Sequence, residues 1–320
     1  MKIGFVTDSL GKMTFEEVLD SAARLGVTGL EVNAGNWSSA PHLDLPGLLT
    51  SADRRRAFLD AFSSRRLEII ALNANGNQLH PTDGARQSEV LYDTIRLAGL
   101  LGVKKVVLMS GLPAGSKLDS TPNWIVSSWP PETQTILAYQ WNDVALPYWR
   151  KLADHAKEHG VEKLAIEMHG NQLVYNVPSL LKIRKEIGPV VGANLDPSHL
   201  LWMGADPFAA IDALGDAIYH VHAKDTFLNA PVQATTSLLE NGSLMNIAAR
   251  SWSYITLGYG HGESWWREFC YRLGMNGYDG WLSIEHEDVI LSSMEGLVRS
   301  VDLLRAVAPT EPSDYAPQPI

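Results

Sequence analysis

Eight times along this chain a short β-branched-rich run bounded by Gly, Pro, Asn or Asp is followed by a stretch whose apolar residues recur at helical spacing. The expected strands are residues 2–8, 29–34, 68–75, 104–110, 163–169, 190–196, 218–225 and 280–287. Helical patterns fill the gaps, at about 54–66, 88–101, 142–159, 179–187, 207–214, 264–273 and 294–307. The first helix is the clearest: Phe15, Val18, Leu19, Ala22 and Leu25 share one face, Thr14 with Glu17 makes a capping box, and Gly26 sits where a left-handed C-terminal residue belongs. Eight β-then-α units over 320 residues suit a single (β/α)8 barrel of the TIM type, because right-handed crossovers between parallel strands return each helix to the outside. A doubly wound sheet is the alternative. It lacks support, since no Gly-x-Gly-x-x-Gly follows the first strand and no Walker-type glycine run occurs. The barrel is expected over residues 1–308, and the proline-rich tail 309–320 as an extended arm or a clasp on a neighbouring subunit.

Charge and composition narrow the function. Asp plus Glu is 36 against 26 Lys plus Arg, a net −10 that repels nucleic acid and anionic membranes alike. Cys270, the lone cysteine, has no intramolecular partner, and the first 30 residues carry no basic region followed by an apolar run. No apolar stretch approaches the ~20 residues that span a bilayer. A soluble cytoplasmic protein acting on a small molecule is the expectation, as a homo-oligomer.

Two connections far exceed the usual length between strand and helix and are expected as lids over the barrel mouth: 111–136, with Trp124 and Trp129, and 226–262, with Arg250, Trp252, Tyr254 and the glycine-rich 258–262. Their aromatic faces either stack on a sugar ring or pack the lids onto the barrel.

Alternation along each strand sorts outward from inward residues. In the fifth strand Leu164, Ile166 and Met168 go outward and Ala165, Glu167 and His169 inward; in the sixth Asn194 and Asp196 point inward. The seventh aims His220, His222 and Lys224 at the axis, and the eighth Ser283, Glu285 and Glu287. Several carboxylates and an imidazole in one water-poor cavity require a cation to offset their repulsion and desolvation. The expected ligands are Glu167, Asp196, His222 and Glu285, an oxygen-rich shell suited to Mn²⁺ foremost and also to Mg²⁺ or Co²⁺. His220 shares parity with His222 and competes as a ligand, but lies one step deeper, where a core histidine is expected. Asn33, Asn36, Asn73 and Asn75 stand at the ends of earlier strands, as sugar-hydroxyl contacts or as local turn formers. Lys224 and Arg250 are candidate cations for an anionic substrate or intermediate.

The motifs Glu167-Met168-His169, Asn194-Leu195-Asp196-Pro197-Ser198-His199, His220-Val221-His222-Ala223-Lys224-Asp225 and Ser283-Ile284-Glu285-His286-Glu287-Asp288 resemble, in this order, the strand-end motifs of the xylose isomerase-like sugar isomerase/epimerase superfamily. The similarity extends to its ketose 3-epimerases of the tagatose/psicose type. It implies that Glu167, Asp196, His222 and Glu285 hold the metal, that Glu167 and Glu285 form the acid/base pair, and that His199 touches substrate. His169, Asn75, Lys224, Arg250 and Trp252 complete the expected substrate contacts. The implied reaction is isomerisation or epimerisation of a ketose or keto-sugar through an enediolate. Lys224-Asp225 and the long insert behind them depart from the epimerases. The alternative reaction is a lyase on an oxidised sugar, either C-deglycosylation of a 3-keto-glycoside with a small partner subunit or an inosose dehydration. Phosphoester cleavage as in apurinic endonucleases fits poorly, because the Asp-x-His of their three-zinc cluster is replaced by Tyr259-Gly260-His261-Gly262-Glu263.

Overall fold

The computed structural model describes residues 1–315, and the expected tail 309–320 lies partly outside them; residues 309–315 are exposed and without regular structure. Ten strands are present among the described residues: β1 Lys2–Val6, β2 Gly29–Asn33, β3 Glu68–Asn73, β4 Lys105–Leu108, β5 Lys163–Glu167, β6 Val191–Leu195, β7 Ile218–Ala223, β8 Asp225–Leu228, β9 Trp252–Ile255 and β10 Trp281–Ile284. Eight of them close into a parallel barrel in the order β1-β10-β7-β6-β5-β4-β3-β2, so the α/β barrel expected from the repeat is the observed fold. The helices are α1 Phe15–Leu25, α2 Leu45–Thr50, α3 Ala52–Ser63, α4 Gly84–Leu101, α5 Glu132–Ala138, α6 Leu146–Glu158, α7 Val177–Ile187, α8 Pro197–Trp202, α9 Pro207–Leu214, α10 Ala230–Thr236, α11 Glu263–Met275 and α12 Ser293–Val307. None is long and apolar enough to cross a membrane.

Local sequence explains the first turn of the chain. Thr14 and Glu17 cap α1 reciprocally, with the Thr14 N–H donating to Glu17 Oε2 at 2.8 Å, and Gly26 closes the helix at φ 64°. The strand parity is equally visible in packing. Leu164, Ile166, Ala193, Val221, Leu282 and Ile284 belong to the main apolar core between barrel and helices, whereas Ala165 packs with Ala71 and Val107 in a separate small cluster. That inner cluster leaves the remaining inward positions to polar side chains.

The strands stop short of the expected ends because the backbone turns away to build the mouth. Asp196 has left β6 and caps α8, its Oδ1 accepting from the Ser198 N–H at 2.8 Å. His169, Lys224, Glu285 and Glu287 likewise lie just beyond β5, β7 and β10. The helix expected at 142–159 differs too: α5 begins inside the first lid and runs through a π-helical stretch, Tyr139–Ala145, into α6. The second lid is partly ordered, with β8 and β9 pairing as an antiparallel hairpin. Buried Asp225 ties down its base, accepting from the backbone N–H groups of Gly258, Gly260 and His261 at 3.1, 3.2 and 2.9 Å and from His261 Nδ1 at 2.7 Å. The glycine-rich loop is thus a carboxylate cradle. Gly260 allows the close approach, since a Cβ there would sit 2.4 Å from the Thr226 carbonyl oxygen.

Gly29 has a comparable role at the bottom of β2. A Cβ at this position would lie 2.4 Å from the Trp281 ring and 2.5 Å from Ile70 Cγ2. Gly29→Ala is expected to destabilise the barrel by about 1–3 kcal/mol through overpacking. Guanidinium denaturation checks this, and an unchanged midpoint would mean that Trp281 moves aside freely.

Candidate active site and metal centre

The four expected ligand side chains converge. Glu167 ends β5, Asp196 caps α8, His222 lies in β7 and Glu285 follows β10, and one ligand atom from each falls within 4.8 Å of the others. Glu285 is held at this height by its own N–H, which donates to the Ala223 carbonyl at 3.2 Å. The Glu167 carboxylate accepts on both oxygens, from Asn75 Nδ2 at 2.6 Å and His199 Nε2 at 2.9 Å. A neutral His199 with its proton on Nε2 satisfies that contact while Nδ1 accepts from the Tyr254 hydroxyl at 2.9 Å. Burial, with His169 and Lys224 beside it, holds the His199 imidazole well below its ordinary value, which keeps this neutral form.

His222 is oriented from below. Its Nε2 faces the two oxygens of Glu31 at 3.0 and 3.1 Å, so Nδ1 turns up toward Glu285 and Glu167, at 3.4 and 3.7 Å. Glu31, fully buried in β2, also accepts from Asn73 Nδ2 at 2.7 Å, His220 Nε2 at 2.7 Å and Ser283 Oγ at 2.9 Å. Burial alone would raise the Glu31 carboxyl, but His222 and His220 reverse this and hold it well below the carboxylate range. His220 is pushed down to about 3 by burial and by Lys105, whose ammonium donates to its Nδ1 at 2.7 Å. It is therefore a neutral core histidine engaged on both nitrogens.

The donor set fits a divalent cation. Asp196 Oδ2 and His222 Nδ1 are buried and have no hydrogen-bond partner among the described residues, and both belong to the cluster. Burial pushes the Asp196 carboxyl up to about 8, with Glu167 and Glu285 adding repulsion that Lys224 only partly offsets. A cation removes that conflict. Glu285 is opposed by burial as well, yet Lys224 and His222 hold it down to about 2.

The cluster opens into a polar cavity of about 210 Å³, on whose wall Glu167, Glu285, His169, His199, Asn75 and Lys224 all stand. Asn33 and Asn73 share that wall. The Lys224 ammonium is already engaged by Glu285 at 3.0 Å and Glu287 at 2.7 Å. Three expected contacts lie elsewhere. Arg250 does not reach the cavity: its guanidinium holds the lid together, on Glu240 at 2.9 Å, the Trp252 carbonyl at 3.0 Å and the Gly242 carbonyl. Its position in the turn before β9 points it back along the hairpin. Trp252 faces an adjoining outer cavity and stacks on Trp202 at 4.7 Å. Asn36 is spent on the Ala74 and Gln87 carbonyls. Sequence reasoning missed Glu31, although Leu30 and Val32 facing outward made it an inward carboxylate by the same parity. It also missed Trp37 on the cavity wall; His286 adjoins the cavity too, but its ring lies against Gly296 of α12, on the outward side that its parity gives.

Comparison with known proteins agrees with this architecture. Residues 19–307 match the model of the xylose isomerase-like TIM barrel family. The protein YfiH of Bacillus subtilis, described as uncharacterized, is 48% identical over 308 residues, covering 95% of this chain and 98% of YfiH. Among solved structures, the probable 3-DHS dehydratase AsbF of Bacillus anthracis superposes with a TM-score of 0.68 at 17% identity, covering 95% of this chain and 99% of AsbF. The IolI protein with a bound zinc atom gives 0.67 at 18% identity, covering 96% and 98%. A D-tagatose 3-epimerase-like protein gives 0.63 at 19% identity, with the same coverage. The chain belongs to the xylose isomerase-like TIM barrel family.

Proposed function

We propose that the protein is a divalent-metal-dependent isomerase or epimerase acting on a ketose or keto-sugar. The observation that carries this reading is the pairing of Glu167 and Glu285 at one ligand cluster on the wall of a small polar cavity. Glu167, Asp196, His222 and Glu285 would hold Mn²⁺, Mg²⁺ or Co²⁺, which when bound supplies Lewis-acid polarisation of the substrate carbonyl. Lys224 keeps Glu285 ionised and so available as a base toward the C–H beside that carbonyl. Asn75 and His199 hold the Glu167 carboxylate in position by both oxygens, and Glu167, once it carries a proton, would return it to the opposite face of the same carbon. In the reverse direction the two residues exchange roles. Asn33, Asn73 and His169 line the cavity as partners for sugar hydroxyls.

Turnover in D₂O tests the reading. With Mn²⁺ and ketohexoses or a 3-keto-glycoside, the expected product is an isomeric sugar carrying one deuterium at the inverted carbon, read by mass and NMR. Release of an aglycone or an unsaturated product with no isomer would replace the isomerase reading by the lyase. Chelation is expected to abolish turnover and to lower the unfolding temperature. Rebinding at a hundred times the dissociation constant restores about 2.7 kcal/mol of stability. Full activity after chelator treatment, with no metal by elemental analysis, would overturn the metal dependence.

A further inference from the structure

Beside the polar inner cavity, and sharing His169 and Glu287 with it, lies a second cavity of about 770 Å³. Binding sites for drug-sized ligands run to roughly 300–1,000 Å³, so the inner cavity alone is smaller than that range and the outer one falls within it. The two differ in chemistry. The inner wall is carboxylate, amide and imidazole, whereas the outer is built from Trp124, Trp202, Trp252 and Tyr254 with Leu239 and Leu244. Trp202 and Trp252 stack 8° from parallel, and Tyr254 stands at 5.2 Å from Trp252. Tyr254 hydrogen-bonds His199 on the inner wall, so the aromatic surface is fixed directly against the reacting site.

A second feature points to an occupant. Leu239 and Leu244 are 69% and 58% exposed although they line this concavity, so apolar surface faces it with no cover among the described residues. The second lid that carries them is anchored at its base by Asp225 and stiffened by the Arg250–Glu240 ion pair. The wall is therefore held in place before anything binds.

We infer that the substrate is a sugar bearing an aryl substituent, with the sugar ring in the inner cavity and the aryl group in the outer one against Trp252, Tyr254 and the lid leucines. This rests on the keto-sugar reading for what happens in the inner cavity, but the aryl subsite is testable by binding alone. Trp202 and Trp252 cover each other's faces and Arg250 stands over Trp252, so an aromatic group there gains contact with the indole edges and burial of the lid leucines, whereas a methyl group gains neither.

Tryptophan fluorescence and calorimetric titration of the metal-loaded protein with phenyl and methyl β-D-glucosides is the direct test. Phenyl glucoside is expected to bind on the order of tenfold tighter than methyl glucoside, the equivalent of one aromatic contact with its buried area. The ratio should collapse toward one in Trp252→Ala and, because Trp252 also packs the lid, in the exposed-site variant Leu239→Glu/Leu244→Glu. Equal binding of the two glucosides, or a phenyl preference that survives the leucine double variant, overturns the subsite. Turnover of phenyl and methyl 3-keto-glucosides separates the two ideas. Isomerisation of either without a phenyl preference sinks the subsite and leaves the reaction standing; a phenyl preference in binding with no isomerisation of either sugar sinks the reaction and leaves the subsite.

Discussion

Glu167→Gln and Glu285→Gln are each expected to lose turnover by roughly 10²–10⁴-fold, the range that follows when a required general acid or base is removed. Glutamine preserves volume and leaves three of the four ligand side chains untouched, so the barrel stays folded and metal content stays measurable. The two variants are not equivalent. Glu167 accepts from Asn75 and His199 on its two oxygens, so a glutamine NH₂ is accommodated only by turning the Asn75 amide, whose Oδ1 is otherwise unpaired among the described residues, or by a change of tautomer at His199. Glu285→Gln instead leaves Glu287, at 2.7 Å, as the remaining charged partner of the buried Lys224 ammonium, with the glutamine oxygen a neutral acceptor. Exchange gives a sharper readout than rate. An enzyme retaining only Glu285 should wash deuterium into the epimer whose C–H faces Glu285, without inversion, and one retaining only Glu167 into the other epimer. Initial rates, elemental analysis and deuterium content on the same preparations check this. A variant that kept most of its turnover with metal bound would reduce that glutamate to a ligand.

The barrel and the four-residue cluster were legible for the same reason. Burial on both faces of a closed sheet forces every second residue of a strand into one layer, so Leu164 and Ile166 beside Ala165 and Glu167 declare their sides without any tertiary information. The reasoning fails where the period fails. Arg250 sits in an insert whose hairpin direction no strand period reveals, whereas His286, just past the end of β10, still keeps its outward parity with its ring against Gly296 of α12. Trp252 carries an aromatic signal that is the same whether it stacks on a sugar or on Trp202, and only the three-dimensional path of the lid separates the two. Glu31 is a different case. Its parity was readable, but its role depends on partners from β3, β7 and β10, which strand closure alone brings together.

That convergence makes Glu31 the most consequential single side chain outside the ligand set. Glu31→Ala removes the acceptor for His220, His222, Asn73 and Ser283 at once, in a layer with no water-exposed side chain among them. Breaking a buried charged network by deleting one member typically costs about 3–5 kcal/mol, because the remaining donors stay desolvated and unpaired. The ring nitrogens cannot swap roles to compensate. Lys105 already donates to His220 Nδ1, so Nε2 must remain its donor, and His222 must keep Nδ1 free toward Glu285 and Glu167. Glu31→Gln keeps the shape and one acceptor oxygen but sets an NH₂ against one of the two imidazole N–H groups, for a loss of about 1–3 kcal/mol. A second effect follows from orientation. A histidine whose far nitrogen donates to a carboxylate is both aimed and made more basic as a ligand, and loss of such a partner lowers metal affinity by roughly 10–100-fold. Both variants should therefore bind Mn²⁺ more weakly even at temperatures where they are fully folded, with Glu31→Ala the worse. Denaturation of the metal-free proteins and calorimetric Mn²⁺ titration measure the two effects separately. Stability within 1 kcal/mol of wild type together with an unchanged Mn²⁺ affinity in Glu31→Ala would show that water replaces the carboxylate and that His222 is aimed by its strand alone, since that margin falls below even the lower bound for one unpaired buried group, about 1 kcal/mol.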